Sequence, residues 1–284
     1  MEVLVMEKIN KNVLNQVITQ RNPQSYKGNY GKILIIAGST HFGGAAILCS
    51  SAAVNSGAGL VTVATTPEKF TAINVRIPEA MTIDYHQKND LAQAIQNNEV
   101  IAIGPGLGTS SIAKGLVKAV LRLTNEHQTL ILDASALTLI AQENIPLETK
   151  ANIVMTPHQG EWQRLSHLPI NEQTPENNFK QLQSLNPQAV LILKKHLSEI
   201  YYQDQVFQIQ AGNPGMATGG MGDTLTGIMA GFIGQFGYSL ETISAALLIH
   251  SLIADKLYKD NYVVLPSKII DKLPKYMKKF GQTK

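Results

Sequence analysis

Six short aliphatic runs recur along the chain: Lys32 to Gly38 (KILIIAG), Leu60 to Thr65 (LVTVAT), Val100 to Gly104 (VIAIG), Thr129 to Asp133 (TLILD), Asn152 to Pro157 (NIVMTP) and Val190 to Lys194 (VLILK). Their nearly continuous Val, Ile and Leu content describes strands covered on both faces, as inside a parallel sheet. Helical patterns separate them, over residues 44–56, 67–76, 110–123, 134–142 and 175–185. Such alternation predicts an α/β fold built from strand-helix-strand units around a central, mostly parallel sheet. Towards the end, Glu199 to Gln210 (EIYYQDQVFQIQ) reads as a hairpin about Asp204, followed by a glycine-rich loop and two or three helices.

The 284 residues contain no linker, no repeat and no low-complexity segment, so a single domain over 1–284 is expected. A hydrophobic share of 44% against 16% charged residues excludes a disordered chain. The net charge is +3, and the lysine-rich tail from Lys268 to Lys284 has no interleaved aromatics, so it reads as a solvated helix face and nucleic acid is not expected as a partner. The lone Cys49 lies among Ala46, Ile47, Leu48 and Ala52, as a small buried hydrophobe would, which suits a reducing cytoplasm. In the N-terminal stretch, Glu2, Glu7 and Lys8 leave no apolar run of signal-peptide length. Residues 224–240 are uncharged and space Gly227 and Gly231 as GxxxG, but the run is too short and too rich in glycine, Thr226 and Gln235 to cross a membrane. A helix buried in a water-soluble core is expected there, with no membrane association.

In open α/β sheets ligands collect where strand carboxyl ends meet helix N-termini, and four loops of this chain fall there. GSTHFGG follows the first run, GPGLG the third, TPHQGE the fifth, and GNPGMATGGMGDTLTG (Gly212 to Gly227) precedes the uncharged helix. GSTHFGG has Gly44 where a nucleoside-triphosphate loop needs lysine, and GPGLG has no acidic residue at the spacing of a dinucleotide fingerprint. His158 stands at a strand end just before Gly160 and Glu161, so imidazole and carboxylate could both reach a cleft; a structural histidine and a carboxylate that only favours the helix start are the alternatives. His250, within AALLIHSLIAD, reads as a packed histidine.

GGMGD is the most informative stretch. Gly219, Gly220 and Gly222 allow successive amides to converge, and a helix beginning near Asp223 adds partial positive charge where they point. Asp223 beside a bound phosphate could deprotonate a hydroxyl nucleophile, while the amides stabilise charge on the transferring group. A helix cap is the plainer role for that aspartate. The chemistry indicated is phosphoryl transfer from a nucleotide to an alcohol.

GNPGMATGGMGDTLTG, together with KGNYGKILIIAGS, GPGLG, LDASAL, TPHQGE and HSLIAD, closely resembles the NAD(P)H-hydrate dehydratases of the ribokinase-like superfamily, over essentially the whole chain. Kinases of hydroxyethylthiazole and hydroxymethylpyrimidine share GGxGD but resemble TPNxxE where this chain has TPHQGE, with His158 at the asparagine position. The resemblance implies a three-layer fold and a repair reaction: the 6S hydrate of NADH or NADPH is phosphorylated on its added hydroxyl, then loses phosphate. It implies Asp223 as base and substrate contact, and residues 219–222 (Gly219, Gly220, Met221, Gly222) as anion hole. His158, Gly108 and Ala45 or Ala46 would contact the hydrate, and Glu161 would help place Mg²⁺ through water. Lys194, Lys195, His196, Leu197 and Ser198 match the nucleotide motif KGxxT, with Lys195 in place of glycine and Ser198 in place of threonine, and Gly222 completes that site. Bacterial members use ADP, so ADP is the implied donor; a separate epimerase is the implied functional partner, and a homotetramer the implied assembly. A vitamin-precursor kinase of the same fold and a nucleotide-sensing protein without turnover are the two other readings.

Overall fold

The computed structural model of the chain describes residues 6–281; the first five residues of the N-terminal stretch and the last three of the lysine-rich tail lie outside it. The chain opens with β1 (Met6–Lys8) and the short α1 (Val13–Val17). Four strand-helix units follow: β2 (Lys32–Ile36) with α2 (Gly43–Asn55), β3 (Leu60–Thr65) with α3 (Phe70–Arg76), β4 (Met81–Asp84) with α4 (Lys88–Asn97), and β5 (Val100–Ile103) with α5 (Ser111–Leu123). Next come β6 (Thr129–Leu132) with α6 (Ser135–Gln142), and β7 (Asn152–Met155) with α7 (Gln159–Ser166) and α8 (Pro175–Leu185). After β8 (Val190–Leu193), the hairpin of β9 (Glu199–Tyr202) and β10 (Gln205–Gln208) leads to α9 (Met221–Phe236), α10 (Leu240–Tyr258) and α11 (Pro266–Met277).

All six predicted strands form, and each ends within two residues of its expected limit. The ten strands make one sheet in the order β1-β10-β9-β8-β7-β6-β5-β2-β3-β4, in which only β9 runs against the rest. Alternate residues of each strand face opposite helix layers. Ile33 and Ile35 pack with α1, α2, α9, α10 and α11, whereas Leu34 and Ile36 pack with α4 to α8. The result is the expected three-layer α/β architecture. Strand order reverses between β2 and β5, and a crevice opens at the carboxyl ends around such a reversal.

The segment 67–76 differs from its prediction. Pro67–Lys69 form a 3-10 turn, closed by the Phe70 amide on the Pro67 carbonyl, before α3 begins. The N-terminal β1 and α1 escaped prediction, as did two later elements: β4 is a partly exposed edge strand, and α4 buries only Leu91 and Ile95. In each, the apolar signal is too short or too narrow to register.

The uncharged run is α9, buried in the core as expected. Its glycine spacing serves helix packing, since a Cβ on Gly227 would lie 2.0 Å from the Cys49 carbonyl oxygen of α2. No helix among the described residues is long and apolar enough to cross a membrane. Gly227→Ala should therefore lower stability by about 1–3 kcal/mol, the usual cost of overpacking. Gly115→Ala in α5, where nothing lies within 4 Å of the new methyl, should leave stability unchanged or raise it by up to about 1 kcal/mol. Thermal denaturation of the two variants checks this, and an unshifted midpoint for Gly227→Ala would contradict the packing argument.

Candidate active site

A cavity of about 780 Å³ opens at the carboxyl ends of β6, β7 and β8, bounded by the starts of α7 and α9 and one face of α10. Asp133, His158, Glu161, Lys194, Asp223 and His250 all line it. A wider groove of about 950 Å³ lies where α2, α9 and α11 end; its lining holds Arg21 and Lys278 but no carboxylate and no strand carboxyl end.

Two strand tips place the charged floor. Asp133 follows β6 and Lys194 follows β8; the Lys194 ammonium donates to Asp133 Oδ1 at 2.8 Å, and the Thr226 hydroxyl of α9 donates to Asp133 Oδ2 at 2.7 Å. Burial alone would push the Asp133 carboxyl up, but the ammonium and these hydrogen bonds hold it below its ordinary value. Burial opposes the charge on Lys194, yet Asp133 above all, with Glu161 and Asp223, raises its affinity for the proton. Ala134, the next residue, has φ +48, a conformation that costs a non-glycine residue energy and turns the chain sharply into α6. Asp133 had no predicted role, although a carboxylate closing an aliphatic strand in TLILD was its signal.

Above this pair sits the start of α9. The helix begins at Met221, two residues before Asp223 and as expected close to it, and its N-cap is Gly220, in the left-handed region at φ +90. Glycine suits that conformation, and with no side chain at the cap the first amides stay open. The first helical hydrogen bond is Thr224 N–H to the Gly220 carbonyl at 3.0 Å. The amides of Met221, Gly222 and Asp223 thus lack partners within the helix. Asp223 lies inside the first turn, so the capping alternative for it does not apply. Its carboxyl is pushed up to about 6, by burial first and then by Asp133 and Glu161, with Lys194 opposing.

The loop before α9 is tied to α10. Both oxygens of Asp255 accept from the Gly212 amide at 3.1 Å, and Oδ1 also accepts from the Asn213 side chain at 2.8 Å. The Val264 amide donates to the Gly215 carbonyl, and the Thr218 hydroxyl donates to the Val264 carbonyl. Asp255, the last residue of HSLIAD, therefore anchors the glycine loop. His250 is buried, as expected of a packed histidine, yet its ring forms part of the cavity wall. Burial, and then Lys194, lower it to about 4, so it is neutral near pH 7.

His158 caps α7. Its Nδ1 accepts from the amides of Gly160 at 3.1 Å and Glu161 at 3.2 Å, which places the ring proton on Nε2. In return Glu161 Oε2 accepts from the His158 amide at 2.8 Å, completing a capping box, while Oε1 lies 3.5 Å from His158 Nε2. The structural alternatives raised for these two residues are therefore real, and both still face the cavity. The imidazole is half exposed with Nε2 as a donor, whereas Glu161 is almost fully buried.

Lys194, Lys195, His196, Leu197 and Ser198 line the cavity together. The backbone explains how this motif dispenses with glycine at position 195: the residue with positive φ is Leu197, at +55, and Lys195 is not among the left-handed residues. Met221 and Gly222 line the same cavity, with Gly219 and Gly220 just before them. Ala45 and Ala46, in the first turn of α2, and Gly108, on the loop after β5, stand apart. Gly108 donates its amide to Ser135 Oγ at 3.0 Å, two residues from Asp133, and Ala45 is half-buried against Gly106. Ala46 is fully buried in the core, so its side chain cannot touch a ligand and Ala45 is the accessible one of the pair. Leu48, one turn further along α2, approaches Gly220 and so places the start of α2 beside the start of α9.

A three-layer sheet with an open helix start, a raised carboxyl and a nucleotide-sized cleft defines an enzyme of the ribokinase-like class. The sequence model of the NAD(P)H-hydrate dehydratase family matches residues 33–275, and the chain belongs to that family. The chain is 47% identical over 277 residues to an ADP-dependent (S)-NAD(P)H-hydrate dehydratase of Enterococcus faecalis, covering 98% of this chain and 94% of that protein. A solved ribokinase-like superfamily protein of Enterococcus faecalis superposes with a TM-score of 0.94 at 46% identity, with both chains covered completely. The Bacillus subtilis ADP/ATP-dependent NAD(P)H-hydrate dehydratase, co-crystallized with ATP/Mg²⁺, gives a TM-score of 0.85 at 28% identity, over 98% of this chain and 100% of that one.

Asp255→Ala removes every hydrogen bond that ties Gly212 and Asn213 to α10. Hydrogen exchange at the Gly212 amide should accelerate at least tenfold, while exchange at Ile228 in the middle of α9 stays unchanged. Equal protection of Gly212 in variant and parent would show that the loop is held by other contacts.

Proposed function

We propose that this chain dehydrates the 6S hydrate of NADH and NADPH, restoring the reduced dinucleotide while ADP is converted to AMP and phosphate. The observation that carries the reading is Asp223 at the start of α9, with a carboxyl raised to about 6 beside open helix amides. The relatives named above support it over a vitamin-precursor kinase, and the His158 version of TPHQGE points the same way.

Hydroxide leaves carbon poorly and phosphate leaves well. Asp223 takes the proton of the hydrate hydroxyl, and the freed oxygen attacks the terminal phosphorus of ADP, releasing AMP. The carbon–oxygen bond then breaks towards phosphate, the adjacent ring carbon loses a proton, and the double bond re-forms. During transfer the amides of residues 219–222 face the charge on the phosphoryl oxygens. Lys194 and Asp133 hold the floor beneath Gly222, and residues 194–198 take the nucleotide. On the dinucleotide side, His158 would donate from Nε2, beside Ala45 and Gly108.

Both Glu161 oxygens face His158, and no group of three metal-ligating side chains lies together among the described residues. Those residues fit Mg²⁺ carried by phosphates and water, with Glu161 as an outer contact. Mg²⁺ would offset phosphate charge there. A cytoplasmic homotetramer working beside a separate epimerase completes the reading, on family resemblance alone.

Incubating the protein with nucleotide and each alcohol in turn, the NADH hydrate and the thiazole and pyrimidine precursors, separates the readings: NADH is expected from the first, and a stable phosphorylated vitamin precursor would overturn it. ADP should give the higher turnover at saturation and chelator should abolish activity; a faster reaction with ATP, or full activity in chelator, would contradict those assignments. Asp223→Asn should lower turnover by about 10²- to 10⁴-fold while ADP still binds. Since the base works only when ionised, kcat/KM should fall as pH drops through about 6. Asp133→Asn removes a charge that raises the Asp223 carboxyl, so this acid limb should move to lower pH; a limb that stays put or rises would break the link.

A further inference from the structure

Both lysines of the nucleotide segment are engaged by buried carboxylates. Lys194 belongs to Asp133, and the Lys195 ammonium lies 2.5 Å from Oε1 of Glu199, the first residue of β9. Glu199 is 1% exposed, and Lys195 is its only ion-pair partner among the described residues. The carboxylate cannot turn away, because Oε2 accepts from the Tyr201 hydroxyl at 2.7 Å. That hydroxyl accepts in turn from the Asn178 amide at 2.9 Å, and Asn178 Oδ1 accepts from Trp162 Nε1 at 2.7 Å. Trp162 follows Glu161 on α7, so the chain of bonds ends on the helix that carries His158.

The turn itself is short. The Lys195 amide donates to Ser198 Oγ at 3.4 Å, the Ser198 hydroxyl donates to the Lys195 carbonyl at 3.2 Å, and the Ser198 carbonyl accepts from the Ile209 amide at 3.1 Å. One end of the nucleotide-binding turn is thus fastened by Lys195 to an immobile buried charge. Removing Lys195 alone leaves the buried Glu199 charge without compensation, which is strongly destabilising, whereas removing both charges together costs little. A carboxylate left alone at this depth would open the turn to reach water, and the turn would have to close again before nucleotide could bind.

We propose that Lys195 is a positioning residue: it holds the nucleotide-binding turn shut by neutralising Glu199, and it is not a ligand of the nucleotide phosphates. The nucleotide charge is then met by the α9 amides and by the metal that accompanies the donor, with no spare protein ammonium at this turn. The inference rests on the nucleotide site proposed above, but its test needs no turnover.

Calorimetric titration of the intact protein with Mg²⁺-ADP reads it directly. Lys195→Met should weaken ADP binding at least tenfold, and Lys195→Met combined with Glu199→Gln should recover the parent affinity to within about threefold. A phosphate-binding lysine predicts the opposite pattern, with the double variant as weak as the single one. That result, or parent-like binding by Lys195→Met alone, would overturn the proposal. If Lys195→Met does not fold, Lys195→Gln with and without Glu199→Gln supports the same comparison. The steady-state signature should agree: the ADP KM rises and falls across the series, while kcat and the KM for the hydrate stay within about threefold. Failure of the parent to turn over the hydrate would count against the proposed reaction and leave the binding pattern as the test of Lys195.

Discussion

The contact between Lys194 and Asp133 at 2.8 Å is the interaction on which the site depends. Two opposite charges, each taken from a strand tip, are removed from water together, which is tolerable only because each has the other and because Thr226 completes the aspartate's hydrogen bonds. The pair fixes β6 and β8 to α9, and it sits beneath Gly222, where a Cβ would lie 3.1 Å from the Lys194 ammonium. It also sets the charge felt by Asp223. The aspartate of the pair raises the Asp223 carboxyl and the lysine lowers it, and burial decides the balance in favour of a group that ionises near 6. Such a group can accept a proton near neutral pH and lies close to the value a general base needs.

Positioning of the α9 start is a matter of the core as much as of the loop. α9 lies against α2 at glycine distance, and its first turn inherits that placement. Asp255 then ties the preceding loop to α10, so the start of α9 is held from behind and from the side. The amides proposed to meet phosphate are consequently held in place by the core and the loop, and fixed donors lose little on binding or on reaction. The same economy of charge marks the turn after β8, where two lysines in sequence are both spoken for by acids inside the protein.

The sheet was legible in the sequence because a strand buried on both faces leaves an unbroken aliphatic run, as in Leu34, Ile35 and Ile36. Half-exposed elements such as β4 leave no such trace. GGMGD was legible for a related reason, since the backbone conformation at Gly220 restricts the residue that can stand there. The partners of charged residues were not legible. Nothing local links Asp133 to Lys194, which are 61 residues apart, or Gly212 to Asp255, at a separation of 43. Glu199 reads as the polar start of a hairpin, and only its burial in the folded chain makes Lys195 its necessary counterion. For His158 the sequence left a cleft-facing and a structural role side by side, because both ask for the same residue in the same place, and the folded chain shows it capping α7 while lining the cavity.

On the proposed function, phosphoryl transfer to the hydrate and its dehydration are one coupled reaction at Asp223. The most direct test follows AMP, inorganic phosphate and NADH together after mixing the protein with the 6S hydrate and ADP. Equal amounts of all three, formed by the parent and not by Asp223→Asn, are expected. AMP released without a matching amount of NADH, or NADH formed at the parent rate by Asp223→Asn, would rule out a coupled reaction at Asp223.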